Sequence, residues 1–352
     1  MTIFNLQILR GLAALGVVFY HTDFRLPGDR HTEFFGVSRF FVISGFIMCF
    51  ITRDAESGDA HAGSFLTKRA IRIVPLYWLC TMALIVLFNR PPITHHFDPL
   101  WTWIITNTPP LLRSLFFVPS DQTPMLGVGW TLNLEVYFYV VFAAALTISR
   151  TLAPLIAAAV VYAVIKANDF GVENFLIKFY AHSYIHYFLH GITLFYVWTF
   201  TKDHLRKWAR WPTIIVCAAI FVGCYGSQFV APQLPLHDYG TVYFPILLTA
   251  AALFAASNGA DITWKPLVLI GDASYAIYLT HTIFMEKFRV MRYFGEIALP
   301  SPKESTGVMI GVLICSITIG IAVHRWIERP MLKLIREYRP AREVDLKFKV
   351  RV

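Results

Sequence analysis

Apolar stretches long enough to cross a lipid bilayer recur along this whole chain, and they limit its fold more than any other feature. A membrane-spanning helix needs about 20 mostly apolar residues. Hydrophobic residues make up 56% of the 352 residues and charged residues only 15%, whereas a soluble domain carries roughly 25% charged residues. The sequence therefore predicts an all-α integral membrane protein with about ten transmembrane helices in one bundle, and it excludes a soluble enzyme. The ten predicted spans are residues 6–22, 35–52, 71–88, 128–148, 152–166, 185–200, 213–230, 241–257, 267–285 and 307–326.

The distribution of Lys and Arg predicts how these spans are oriented. An even number of spans places both termini on one side, and the predicted loops on the side of the termini carry more Lys and Arg. The positive-inside rule then places both termini in the cytoplasm. This bias explains the net charge of +9, so we expect anionic lipid and no nucleic acid as a partner. The apolar segment 97–118 is interrupted by Pro109, Pro110 and Arg113, and we expect an interfacial loop there.

Two ionisable residues lie in the first predicted span, where charge is costly and usually functional. Arg10 and His21 are eleven residues apart, so they point to nearly the same side of a helix and lie about 16 Å apart along its axis. With the N-terminus inside, Arg10 belongs to the cytoplasmic half and His21 to the outer half. The shared face predicts a lined cavity, although either residue alone would also fit a side chain that extends to the membrane surface.

A basic cluster begins the third predicted span. Arg69 and Arg72 are three residues apart and share a helix face, and Lys68 precedes them. Two guanidinium groups on one face at the cytoplasmic end are suited to phosphate binding. The alternative is that these residues are only the positive anchors that cytoplasmic helix ends carry.

Two more ionisable residues are predicted at the depth of His21. Glu135 lies near the outer end of the fourth span, and His281 lies at the outer end of the ninth. A carboxylate at this depth can orient an imidazole and stabilise its charged form, so we expect Glu135 to contact His21. The alternative is a structural ion pair between Glu135 and an arginine.

Three histidines recur at intervals of four residues, at His182, His186 and His190. Such spacing on one helix face can bind a metal ion. No carboxylate or cysteine accompanies them, and histidines are common at membrane interfaces. We therefore expect no metal cofactor.

Short motifs occur in five of the predicted spans, and together they resemble those of a known family. They are Arg10 with His21, Phe41-Val42-Ile43-Ser44-Gly45-Phe46, Arg69 and Arg72 with Ile73, Pro75 and Tyr77, Gly129-Trp130-Thr131-Leu132 with Glu135, and Ser274-Tyr275 with Ile277-Tyr278-Leu279 and His281. In this order the motifs resemble the acyltransferase-3 family of membrane O-acyltransferases over nearly the whole chain. The amino-acid sequences of 127–135 and 269–281 are most similar to those of exopolysaccharide-production acetyltransferases within that family.

The resemblance implies a function for each part of the chain. Residues 1–330 would form the acyltransferase-3 transmembrane domain of a multi-pass protein of the cytoplasmic (inner) membrane, and 331–352 a basic cytoplasmic tail. The enzyme would move an acyl group from acyl-CoA, with acetyl-CoA the expected donor, to a hydroxyl of a glycan or lipid-linked sugar. The residues expected to act are His21 as general base with Glu135 and Arg10, then Arg69, Arg72 and Lys68 on the CoA phosphates, and His281, Trp130, Tyr275 and Ser38 on the substrate.

One position departs from the family pattern. Ser38 stands where the family usually has an aspartate. Either the acid is dispensable in this protein, or Asp29 or Glu33 supplies it.

A transporter or flippase of a small anionic or glycan-linked substrate is the main alternative, because charges within the membrane also mark transport paths. No inverted repeat or pair of broken helices, which are typical of such proteins, stands out in the sequence. A third possibility is a sensor that binds acyl-CoA without turning it over.

Overall fold

The computed structural model is helical apart from one short two-stranded ribbon. It describes residues 3–22, 25–26, 30–31, 36–53, 58–88, 100–205, 214–220, 222–223, 236–293 and 305–337. The elements are α1 (Phe4–His21), β1 (Arg25–Leu26), β2 (Arg30–His31), α2 (Gly36–Thr52), α3 (Asp59–Phe88), α4 (Leu100–Leu115), α5 (Gly129–Ile148), α6 (Ala153–Asp169), α7 (Phe175–Tyr180), α8 (His186–Leu205), α9 (214–220), α10 (Leu236–Ser257), α11 (Lys265–Asp272), α12 (Ser274–Tyr293), α13 (Thr306–Val323) and α14 (Arg329–Glu337). The strands β1 and β2 pair antiparallel.

Several of these helices are apolar enough to cross a membrane. By length and composition, the described residues hold three such helices, at His61–Phe88, Gly129–Ile148 and Thr306–Ile335. A fourth span is formed if α11 and α12, which meet at an angle of 66°, are taken as one broken helix. The all-helical, apolar architecture is thus confirmed, while the count of ten spans and the cytoplasmic location of both termini stay predictions.

One prediction about local structure was wrong. The segment 97–118 was expected to be a loop, but Leu100–Leu115 is a helix that contains Pro109 and Pro110. A proline removes one backbone N–H donor and favours a kink, yet the neighbouring turns keep the helix continuous here. The expected replacements for the family aspartate, Asp29 and Glu33, lie outside the described residues, as does the tail beyond 337.

Helix α1 lies at the centre of the bundle, where it packs against α2, α10, α11, α12 and α13. Its start is fixed by Asp261, whose carboxylate accepts hydrogen bonds from the backbone N–H groups of Phe4 and Asn5 at 3.2 and 2.8 Å. Such an anion stabilises the positive end of a helix. Further along α1, a Cβ on Gly11 would lie 3.0 Å from the backbone nitrogen of Gly271, so α1 and α11 touch backbone to backbone.

Helices α2 and α8 also pack at close range through small residues. A Cβ on Gly45 would lie 2.3 Å from the carbonyl oxygen of Phe188, and one on Gly191 would lie 2.2 Å from that of Val42. Small residues at helix contacts are typical of membrane bundles, where they let backbones approach. This contact fixes α2, which forms one wall of the cavity described next.

Candidate active site

A cavity opens between α1, α2, α3, α5 and α12 and encloses about 720 Å³, part of it open to the exterior. One part of the wall is apolar and comes largely from α2. Another part carries charged and hydroxyl side chains. The polar lining residues are Arg10, Ser44, Arg69, Arg72, Thr131, Glu135, Tyr139, Tyr275 and Tyr278.

The three arginines give the cavity its electrostatic character. Arg10, Arg69 and Arg72 face one carboxylate, that of Glu135, among the lining residues, so the lining carries a net positive charge. Arg69 lies 5.8 Å from the ring centre of Phe65, and its buried Nε has no hydrogen-bond partner within the described structure. A buried donor without a partner is unfavourable, and an anionic ligand would satisfy it.

Lys68 does not share this wall. Its side chain is exposed on α3 and does not line the cavity. One residue step on a helix turns the side chain by about 100°, so a lysine next to Arg69 points away from the face that Arg69 and Arg72 share. The structure therefore brings the two arginines together at the cavity and leaves Lys68 outside it.

Glu135 belongs to a hydrogen-bond network at the arginine end. Its carboxylate accepts hydrogen bonds from the hydroxyl groups of Ser44, at 3.2 Å, and Tyr139. The guanidinium group of Arg69 lies 6.0 Å from the ring centre of Tyr139, and the negative charge of Glu135 acts on both Arg69 and Arg10. Glu135 thus balances part of the positive charge on the arginines.

The expected contact between Glu135 and His21 is not formed, because the two residues lie at different depths. Gly36 packs against Val17 of α1, and the cavity places Ser44 on α2 beside Arg10. The two helices are therefore antiparallel, and the rise per residue puts Ser44 and its partner Glu135 about 18 Å from His21 along the helix axes. The sequence could give the order of residues along the span but not this register between helices.

His21 instead contacts His281. The Nε2 atom of His281 lies 3.3 Å from the Nδ1 atom of His21, and the ring centres are 5.0 Å apart. His21 is exposed at the end of α1, and its Nδ1 also lies 2.9 Å from the carbonyl oxygen of Val17. His281 is fully buried, and its Nδ1 lies 3.2 Å from the carbonyl oxygen of Ile277. Their common depth was predictable, but the direct contact was not.

The cavity extends from the arginines towards this histidine pair, but neither histidine lines it. The lining residues of α2 run from Val37 to Met48, about 16 Å along the helix. At the histidine end, the ring of Tyr278 lines the cavity and its centre lies 6.0 Å from that of His281. A long ligand with charged groups at the arginines could therefore extend along α2 towards Tyr278 and the neighbouring histidines.

The remaining expected substrate residues lie in three different environments. Tyr275 lines the cavity and donates a hydrogen bond to the carbonyl oxygen of Ile73 at 2.7 Å. Ser38 is 2% exposed in the first turn of α2 and does not line the cavity. Trp130 packs against His182 and Tyr184, with ring centres 5.1 and 5.5 Å away.

The rings around Trp130 form an aromatic cluster of Trp130, His182 and Tyr184 next to the cavity. Tyr184 reaches the ring of Phe41, a lining residue, with the ring centres 6.3 Å apart. Partial burial lowers the pKa of His182 below its ordinary value, so its ring is uncharged at neutral pH. The cluster offers uncharged aromatic faces together with polar edges.

The three regularly spaced histidines do not lie on one helix. His182 caps a short 3₁₀ turn, Ser183–Ile185, and His186 begins α8. Among the described residues, no group of three His, Cys, Asp or Glu side chains is placed to hold a metal ion. Elsewhere, the π-helical turn His324–Glu328 holds a buried pair, with 2.6 Å between Nδ1 of His324 and the carboxylate of Glu328.

Comparison with known proteins assigns the family. A family model described as an acyltransferase domain, acyltransferase-3, matches residues 3–324. The exopolysaccharide production protein ExoZ of Rhizobium meliloti is 30% identical over 307 residues, which are 85% of this chain and 89% of that protein. The acyltransferase MdmB of Streptomyces mycarofaciens is 25% identical over 340 residues, 86% of this chain and 82% of that protein.

A peptidoglycan O-acetyltransferase, OatA of Listeria monocytogenes, is 24% identical over 299 residues, which are 78% of this chain. This match spans 48% of that longer protein. No solved structure matches the chain. Because the family model covers almost the whole sequence, and the five motifs lie within its limits, the chain belongs to the acyltransferase-3 family.

Proposed function

We propose that this protein is a multi-pass enzyme of the cytoplasmic membrane that moves an acyl group, most simply acetyl, from acyl-CoA to a hydroxyl of an exported or cell-surface glycan. The observation that carries the proposal is the positively charged cavity lined by Arg10, Arg69 and Arg72, which extends along α2 towards the pair of His21 and His281. Membership of an acyltransferase family supports acyl transfer. The names of two relatives, an exopolysaccharide production protein and a peptidoglycan O-acetyltransferase, support a glycan as the acceptor.

The donor would enter at the arginine end. Arg69 and Arg72 would hold the CoA phosphates, since guanidinium groups form paired hydrogen bonds with phosphate oxygens. The buried Nε of Arg69 is one donor that such a ligand would satisfy. Arg10 adds positive charge on the way towards the histidines. Lys68, exposed beside this pair, would attract the anionic donor at long range rather than contact it.

The rest of the donor would follow the apolar side of the cavity. The face of α2 that lines it presents Val37, Phe40, Ile47 and Met48, which suit an uncharged chain better than phosphate. The cavity's length along α2 would bring the thioester towards His21. The charged part of the cavity would therefore hold the phosphate groups of the donor, and the apolar part would hold the uncharged chain that ends in the thioester.

His21 would act as the general base. Its imidazole would take the proton of the acceptor hydroxyl while the hydroxyl oxygen attacks the thioester carbonyl carbon. The C–S bond then breaks, the CoA sulfur leaves as thiolate, and the proton held by His21 neutralises it. The acceptor gains an ester and CoA is released as thiol. No side-chain nucleophile is required, so we propose direct transfer.

Glu135 would act at the donor rather than at the base. Its carboxylate fixes the hydroxyl group of Tyr139 and attracts Arg69 and Arg10. This arrangement would hold the arginines in place before the donor arrives and would limit their mutual repulsion. Electrostatic preorganisation of this kind lowers the reorganisation needed on binding.

The acceptor would bind at the aromatic cluster of Trp130, His182 and Tyr184. Aromatic faces pack against the C–H face of a sugar ring, and the polar edges of the same side chains can hydrogen-bond its hydroxyls. The cluster touches the cavity wall through Phe41. Tyr275, which lines the cavity on α12, would lie nearer the donor.

The test is transfer of label from acetyl-CoA by the purified full-length protein. Labelled acetyl-CoA and an exopolysaccharide or peptidoglycan fragment are incubated with the protein in detergent, and the glycan is then analysed for esterified label. We expect time-dependent labelling of the glycan that requires the protein. Label that crosses a vesicle membrane without becoming esterified would favour the transporter alternative, and binding of acetyl-CoA without any turnover would favour a sensor.

A further inference from the structure

The position of the proton on His21 can be assigned from its neighbours. Its Nδ1 atom lies 2.9 Å from the carbonyl oxygen of Val17. A carbonyl oxygen only accepts hydrogen bonds, so Nδ1 must carry the hydrogen. The neutral ring then has its lone pair on Nε2. A general base needs this lone pair to take a proton, so Nε2 is the basic atom of His21.

The same argument applied to His281 gives a consistent chain of hydrogen bonds. Its Nδ1 atom faces the carbonyl oxygen of Ile277 at 3.2 Å and therefore donates. Its Nε2 atom then carries a lone pair, and it lies 3.3 Å from Nδ1 of His21. The Nδ1–H group of His21 is thus shared between Val17 and His281. In this series of hydrogen bonds, each ring N–H group has an acceptor while both imidazole rings are neutral.

The burial of the two rings makes their roles unequal. His281 is fully buried, whereas His21 is exposed at the end of its helix. A charge on the buried ring would be strongly disfavoured, so His281 stays neutral and acts as an acceptor. When His21 takes a proton on Nε2, its Nδ1–H becomes a stronger donor, and the bond to His281 strengthens with it.

We propose that His281 is a positioning residue that, together with the carbonyl of Val17, holds His21 in the tautomer with Nε2 basic and stabilises the charged ring formed during acyl transfer. His281 takes the place that a carboxylate has in a Ser-His-Asp triad. A neutral imidazole accepts the same hydrogen bond without placing a negative charge inside the bundle. The inference rests on the proposed function, because it assigns His281 a role relative to the base in that reaction.

Two substitutions separate this role from simple packing. In His281→Gln the amide oxygen can occupy nearly the place of Nε2 and accept from His21, whereas His281→Leu fills the space without an acceptor. We expect His281→Leu to lower kcat by about 10² or more, the size of a general-base contribution, with the KM for acetyl-CoA unchanged. His281→Gln should recover at least about a tenth of the wild-type kcat, because it restores the hydrogen bond.

A matched control comes from another histidine with the same local geometry. The Nδ1 atom of His204 on α8 faces the carbonyl oxygen of Phe200 at 3.3 Å, and the residue is exposed and does not line the cavity. His204→Leu removes an imidazole that faces a carbonyl four residues earlier, as His21 does, but has no place in the proposed mechanism. Its kcat should equal that of the wild type.

The tautomer can also be measured directly by ¹⁵N NMR of histidine-labelled protein, with the His21 signal identified as the one lost in His21→Gln. We expect wild-type His21 to be protonated on Nδ1. In His281→Leu we expect a larger fraction of the other tautomer, because the carbonyl of Val17 is then the one remaining acceptor for Nδ1–H that the described contacts provide. If His21 in the wild-type protein is protonated on Nε2, this measurement alone overturns the proposal, and no variant is needed. A normal kcat in His281→Leu would also overturn it, as would equal losses in the Gln and Leu variants with acetyl-CoA binding intact.

These outcomes are distinguishable from failure of the proposed function. If the protein transfers no acyl group, the wild type itself is inactive and no comparison of variants arises. If it transfers acyl groups without using His21, then His21→Ala stays active. The positioning role alone fails when His21→Ala is inactive but His281→Leu is not.

Discussion

Arg72→Gln is the perturbation that tests the donor site most cleanly. Arg72 lines the cavity beside Arg69 and Arg10. Arg69 also packs near the rings of Phe65 and Tyr139, so its loss would disturb the wall as well as the ligand. Glutamine keeps a polar side chain of similar width at position 72 but removes the charge and the paired donors.

The size of the effect follows from the bonds removed. A hydrogen bond to a charged group contributes about 1.5–3 kcal/mol, and about 1.4 kcal/mol corresponds to a factor of ten in affinity. Arg72→Gln should therefore weaken binding of acetyl-CoA by roughly 10- to 100-fold.

The assay is the KM for acetyl-CoA and for the acceptor, measured on detergent-purified protein. The KM for acetyl-CoA should rise while that for the acceptor stays within about twofold, because the aromatic cluster does not touch this wall. Arg150→Gln is the matched control, since Arg150 is exposed beyond the end of α5. An unchanged donor KM in correctly inserted Arg72→Gln protein would refute the phosphate site.

Three further changes test the acceptor site, the departure at position 38 and the helix packing. Trp130→Leu should raise the acceptor KM about tenfold, as expected for a lost stacking contact, without changing the donor KM; a rise in both would contradict a separate acceptor site. Ser38→Asp restores the usual family acid and should retain transfer; its loss in well-expressed protein would show that the site is built around serine. Gly45→Ala should lower the unfolding temperature, because its Cβ would meet the carbonyl oxygen of Phe188 at 2.3 Å, whereas Gly63→Ala, with open space around it, should not; equal effects would contradict the close contact.

Properties that depend on one helix could be predicted from the sequence. The spacing of Arg10 and His21 indicated a common face, but only Arg10 lines the cavity, whereas His21 contacts His281. The interval between Arg69 and Arg72 likewise indicated one face, and both residues line the cavity. Each inference needs only the helical repeat, which is the same in every α-helix.

Properties that depend on how helices meet could not be predicted. The offset between α1 and α2 places Glu135 with the arginines rather than with His21, and no sequence pattern encodes that offset. The contact between His21 and His281 needs α12 to pack on α1, and α11 and α12 meet at an angle of 66°. Such registers arise from close contacts between distant segments, such as Gly11 against Gly271.

The central claim is that His21 takes the proton during acyl transfer, and His21→Ala tests it most directly. Transfer of labelled acetyl to the glycan and binding of CoA are measured on the same purified protein. We predict that kcat falls by about 10² or more while CoA binding persists, because Arg10 lies about 16 Å from His21 along α1 and the cavity lined by the three arginines does not include His21. Near-normal turnover by His21→Ala would contradict the account.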